Sequence, residues 1–182
     1  MKKTKIWEVG VGEAWQSRSS HFDDNTSEFS LFEPNPISFA QIQEKFGNKE
    51  NFKLFNFALG SQTTKKNLFL AGASSYIEGV DSPEIKHNPN ASNEKTKILI
   101  DIVDIREIDT GDIDILLIDA EGSEFDIIKN LISRPQKIIV EMFSFGVGYK
   151  NPNFDEIIKW MNINNYITSD DKGEDFVFNK VS

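Results

Sequence analysis

The chain contains no cysteine. Structural disulfides, thiolate nucleophiles and cysteine-ligated zinc are therefore excluded. Bases are short against acids, 20 Lys and Arg to 29 Asp and Glu, for a net charge of −9. That balance opposes binding to nucleic acid or an anionic membrane, and no Lys/Arg cluster offsets it. No apolar run approaches the ~18 residues of a membrane-crossing helix. The opening MKKTKIW has the basic start of a signal peptide, but Glu8 and the glycines that follow interrupt any apolar stretch. A soluble, cytoplasmic protein is the expectation. At 182 residues the chain suffices for one domain, residues 1–182, with a real core.

What is present is a pair of short patterns near the N-terminus. IWEVGVG spans residues 6–12, and LFEPNP spans residues 31–36. Each reads as a strand ending in an acid or a glycine turn. A strand, a glycine turn, a helix and a second strand ending in a carboxylate is how an α/β sheet holds the ribose of an adenosine cofactor. Glu33, 21 residues after Gly12, is placed to accept hydrogen bonds from two ribose hydroxyls. In a dinucleotide fold a third glycine brings the helix N-terminus to a pyrophosphate. That position is Trp15 here. Gly10 and Gly12 still permit a tight turn and close approach, which suits a ligand without phosphates. Glu8 adds a carboxylate for a cationic amino group. These features favour S-adenosylmethionine over NAD.

The remaining elements alternate. Strands are expected at Thr4–Glu8, Phe29–Glu33, Phe52–Ala58, Ile98–Val103, Ile113–Ile118 and Lys137–Glu141. Helices are expected at Glu13–Phe22, from Pro36 to Phe46, at Ser123–Leu131 and at Phe154–Ile163. Lys66–Leu70 reads as a strand paired in a hairpin around residues 61–64. Tyr166–Thr168 and Asp175–Asn179 read as a closing antiparallel pair. Ala71–Lys97 is loop-like and long enough to suggest function. This alternation implies an α/β, mostly parallel sheet. Ligands in such sheets sit at the carboxyl ends of the strands. That rule gathers Glu8, Gly10, Gly12, Glu33, Ala58, Asp119 and Glu141 on one rim.

DILLIDAEGSE, residues 114–124, together with LFEPNP, resembles the FkbM family of S-adenosylmethionine-dependent methyltransferases. The family's glycine motif matches at Glu8, Gly10, Gly12 and Ala14, and its F-E-P at Phe32, Glu33 and Pro34. Its A-L strand end matches at Ala58 and Leu59. Its I-D-x-E-G-x-E matches at Ile118, Asp119, Glu121, Gly122 and Glu124, and its last strand end at Glu141. The resemblance runs from Lys5 to about Phe178. Glu8 replaces the commoner Asp, Gly12 an Asn, Ala14 a Gly, Leu117 a Lys, Ser144 a His and Asn165 a Gly. The Leu117 and Ser144 departures are assigned to the acceptor side. The resemblance implies a class I methyltransferase-like (Rossmann-like) fold with a C-terminal antiparallel strand pair. It also implies S-adenosyl-L-methionine as cofactor and O-methylation of a hydroxyl on a sugar, glycan or small metabolite.

Methyl transfer is an in-line displacement that needs alignment, proton removal from a hydroxyl and exclusion of water. Asp119, after a buried strand, is the candidate base, with helix capping as its alternative role. The cofactor set is Glu8, Gly10, Gly12, Glu33, Pro34, Ala58 and Asp119. Ser74, Ser75, Glu121 and Glu141 are assigned to the acceptor. Asp119, Glu121, Glu124 and Glu141 can also gather around Mg²⁺, but acids in a first helical turn are ordinary dipole partners. No metal is therefore assigned. His21 sits at a helix end, and His87 lies in the long loop. Because the sequence opens directly at strand one, Ala71–Lys97 is the expected cover for the site. A nucleotide-binding oxidoreductase and a non-catalytic module of the same fold are the competing readings.

Overall fold

The computed structural model of the protein describes residues 2–72, 74–87, 96–144, 148–170 and 173–181. In chain order its elements are β1 (Thr4–Val9), β2 (Ser27–Phe32), α1 (Pro36–Phe46), β3 (Phe52–Phe55), β4 (Ala58–Gly60), β5 (Thr64–Phe69), β6 (Tyr76–Ile77) and α2 (Pro83–His87). They continue as β7 (Lys97–Asp104), α3 (Ile105–Ile108), β8 (Ile115–Ile118), α4 (Glu124–Ile128), β9 (Lys137–Glu141), β10 (Phe143–Ser144), β11 (Tyr149–Lys150), α5 (Phe154–Ile163), β12 (Tyr166–Asp170) and β13 (Asp175–Lys180).

The main sheet has seven strands in the order β12-β13-β9-β8-β1-β2-β3. β1 pairs in parallel with β2 on one side and β8 on the other. β13 is antiparallel to both β9 and β12, so it alone runs against the other six. The strand order reverses at β1, and the crevice at such a reversal is where doubly wound sheets hold ligands. Side chains alternate across the sheet as strand geometry requires. Ile6, Leu31 and Leu117 pack on one face with Ile42 and Phe46 of α1. Leu116, Ile118 and Val140 pack on the other with Ile127 of α4 and Ile157 and Met161 of α5. Pro36 opens α1, and Asn35 caps it by accepting from the Ile37 N–H at 3.0 Å.

Three local expectations are corrected. Residues 13–22 do not form an α-helix but two short 3₁₀ turns, Ala14–Gln16 and Arg18–His21. The cause is Glu8, whose buried carboxylate accepts the N–H groups of Arg18 and Ser19 and so removes them from helical bonding. The apolar run from Phe52 to Ala58 is not one strand. Asn56 breaks it, its Nδ2 donating to the Glu33 carbonyl at 2.8 Å, and β4 departs into a second sheet. In that sheet β7 inserts between β4 and β5, so the hairpin around residues 61–64 is absent. The loop expected at Ala71–Lys97 holds β6 and α2 and ends at the first residue of β7, with residues 73 and 88–95 outside the described set. Among the described residues, no helix is long and apolar enough to cross a membrane.

Candidate active site

The ends of β1, β2, β4, β8 and β9 surround one cavity of about 310 Å³. Every site residue named from the sequence lines it: Glu8, Gly10, Gly12, Glu33, Pro34 and Ala58 from the first half of the chain, and Asp119, Glu121 and Glu141 from the second. Ser74 and Ser75 line its mouth. Both motif glycines have positive φ, +74° at Gly10 and +65° at Gly12. At Gly10 a Cβ would stand 1.7 Å from the Asp119 carbonyl oxygen. Glycine is therefore what lets the β1 turn lie directly against the end of β8.

Glu33 is 4% exposed, and its two oxygens are fixed by backbone donors. The Gly12 N–H reaches Oε2 and the Asn35 N–H reaches Oε1, both at 2.8 Å. Burial pushes its carboxyl up to about 7, against the pull of those two N–H bonds. Each oxygen keeps a further lone pair for a ligand hydroxyl. Glu8 differs. It is 3% exposed and accepts from Ser17 Oγ, Arg18 N, Ser19 N and Ser19 Oγ at 2.9, 2.7, 3.1 and 2.5 Å. Its oxygens serve residues 17–19, and what it offers the cavity is negative potential.

The far wall is a carboxyl cluster. Asp119 Oδ2 accepts from Arg18 Nη2 at 2.6 Å, and Asp119 hydrogen-bonds Glu141. Burial raises both acids, Glu141 to about 10, with Asp119 beside it adding repulsion. Arg18 lies against Asp119, so the shared proton rests on Glu141 and Asp119 is the ionised member. Burial raises Glu121 to about 9, and its Oε2 is buried with no hydrogen-bond partner. Its backbone is left-handed, at φ +50°, a strained state for a non-glycine residue. Glu124 is fully engaged, accepting from the Ala120 and Gly122 N–H groups and from Asn151 Nδ2. No group of three or more His, Asp or Glu is arranged for a metal among the described residues.

Some residues went unnoticed in the sequence. Arg18 joins β1's turn to Asp119 and, at 3.5 Å, to Asp175 of β13. Asn35 Nδ2 donates to Ser75 Oγ at 3.0 Å, and so ties the Ser74–Ser75 turn to the end of β2. Neither was singled out from the sequence, although an Asn before Pro36 is a capping signal that could have marked Asn35; Arg18 carries no pattern. Leu117 does not reach the acceptor side, being buried on the opposite face among α1 residues. The side chains of Ser144 and His87 lie outside the described set.

The strand order, with one reversed strand near its edge, is that of the class I methyltransferases, and solved structures agree. Methyltransferase FkbM from Methylobacillus flagellatus matches with a TM-score of 0.60 at 14% identity, over 97% of this chain and 43% of that one. A Methanococcus jannaschii fibrillarin pre-rRNA processing protein matches with a TM-score of 0.50 at 14% identity, over 98% of this chain and 67% of that one. This chain thus spans less than half the length of the M. flagellatus protein. Among curated proteins none matches it. The methyltransferase FkbM domain model matches residues 8–168, and the chain belongs to that family.

Proposed function

We propose that this chain is an S-adenosylmethionine-dependent methyltransferase acting on a hydroxyl of a sugar, glycan or small metabolite. The observation that carries the reading is Glu33, held by the Gly12 and Asn35 N–H groups at the end of β2 and facing the cavity shared with Asp119. The lining suits the cofactor's charge. Among the described residues five acids face the cavity and Arg18 is the only base. A sulfonium and an ammonium are drawn to the ionised Asp119, whereas the two phosphates of NAD would be repelled by it. The orphaned Glu121 Oε2 and Arg18 Nη1 are polar atoms that a ligand would satisfy.

On this reading Glu33 accepts from the ribose hydroxyls, and Gly10 and Gly12 let the backbone come close. Bound there, the cofactor supplies an electrophilic methyl group. Asp119, with its side chain 31% exposed, is reachable from the cavity and takes the proton released by the acceptor hydroxyl. Glu141 hydrogen-bonds Asp119 and holds its orientation. Glu121, Ser74 and Ser75 stand where the acceptor enters. Calorimetry with S-adenosylmethionine and with NAD tests the reading. Saturable binding of the first and none of the second is expected, and the reverse result rejects it.

A further inference from the structure

We infer that Arg18 receives the amino-acid carboxylate of the cofactor, an inference that rests on the reading above. Sheet order sets the direction of the ligand. Glu33 follows β2 and Asp119 follows β8, on opposite sides of β1. A cofactor with its ribose at Glu33 crosses the Gly10–Gly12 turn and brings its amino-acid end to Asp119, where Arg18 stands. That end is a zwitterion. Its ammonium finds the ionised Asp119, but its carboxylate meets that same charge, the raised Glu33, Glu121 and Glu141 adding little near neutral pH. Only a cation offsets that repulsion, and Arg18 is the one cation among the described lining residues.

The guanidinium is prepared for a second partner. Nη2 bonds Asp119 at 2.6 Å, whereas Nη1 is buried with no hydrogen bond, Asp175 Oδ1 standing 3.5 Å away. Four carboxyls surround the group, Glu8 of β1, Asp119, Glu141 of β9 and Asp175 of β13. Glu8 is saturated by residues 17–19 and Glu141 is occupied with Asp119, so neither completes Nη1. A buried donor left unbonded is costly, and a guanidinium fork can hold Asp119 on one nitrogen and a second carboxylate on the other. Four hydrogen bonds from residues 17–19 to Glu8 hold Arg18's backbone in place before any ligand arrives.

The test compares S-adenosylmethionine with its decarboxylated form by calorimetry on the wild type, Arg18→Gln and Arg18→Lys. The wild type should bind the decarboxylated ligand roughly 10- to 100-fold more weakly, the range expected of a charged hydrogen bond. Arg18→Gln should lose a similar factor for S-adenosylmethionine and almost none for the decarboxylated ligand. Arg18→Lys should keep part of the discrimination. Equal affinities in the wild type overturn the inference without needing a variant. An equal loss for both ligands in Arg18→Gln overturns it too, since that marks a purely structural role through Asp119. A wild type that binds neither ligand rejects the cofactor reading itself. Should Arg18→Gln fail to melt cooperatively, Arg18→Lys and the wild-type pair decide.

Discussion

Glu33 makes stability depend on pH in a direction opposite to that of most carboxylates. Its side chain is 4% exposed and its carboxyl rises from an ordinary 4.5 to about 7, chiefly through burial, with Asp119 adding repulsion. Between those values the folded protein holds a proton that the unfolded chain has released. Stability is then present in full below about 4.5 and is lost as pH rises through 7. At about 1.4 kcal/mol per pH unit, the window is worth roughly 3 kcal/mol. Glu33→Gln isolates the effect. Its amide places an NH₂ against a backbone N–H, a penalty that does not titrate, so only the pH-dependent difference matters. Urea unfolding of both proteins at pH 5, 6, 7 and 8, without ligand, should show the wild type losing about that much relative to the variant across the series. Parallel curves, or a wild type that gains on the variant as pH rises, would refute the reasoning and place the carboxyl at or below its ordinary value.

Three further outcomes are expected. Gly10→Ala puts a Cβ 1.7 Å from the Asp119 carbonyl at φ +74° and should cost more than about 3 kcal/mol, whereas Gly72→Ala, at φ +63° with its nearest atom 4.0 Å away, should cost about 1 kcal/mol in the same thermal melts. Asp119→Asn should slow methyl transfer to a panel of methyl glycosides by about 100-fold or more, read as S-adenosylhomocysteine release, while the melting temperature stays close to wild type; early melting with unchanged specific activity would make Asp119 a structural residue. Glu121→Gly relieves φ +50° and removes the orphaned Oε2. It should therefore gain about 1–2 kcal/mol in urea while losing turnover on the same panel.

The sequence made the site legible where strand ends coincide with motif residues. Gly10, Glu33, Asp119 and Glu141 all terminate strands whose apolar runs are plain, and all reach one cavity. Helices α1 and α5 were legible for a similar reason, since Pro36 and Gly47 bracket the first and an apolar stripe marks the second. What failed was local structure set by a distant partner. Residues 13–22 have a helical pattern, yet a carboxylate on β1 takes their N–H groups. Phe52 to Ala58 is continuously apolar, yet Asn56 turns the chain because its amide has a carbonyl of another strand to bond. Arg18 was invisible because its meaning lies in Asp119 and Asp175, 101 and 157 residues further along.

The same cavity gathers features that a fold alone would avoid. Three of its carboxyls are held above neutral or near it, one of them on a left-handed residue with an unbonded oxygen, and the one arginine among its described lining residues leaves a buried nitrogen without a hydrogen bond. Such costs persist when a ligand recovers them, and a ligand that binds only the folded state returns the difference as stability. The sign of the charge then bears on turnover. On the proposed reading the ionised Asp119 would attract a cofactor that carries a sulfonium, and attract it less once methyl transfer had made the sulfur neutral. That change would loosen the used cofactor on the side where charge holds it, while hydrogen bonds at Glu33 would stay as they were. On that reading the wall that draws the cofactor in would also discriminate against its product.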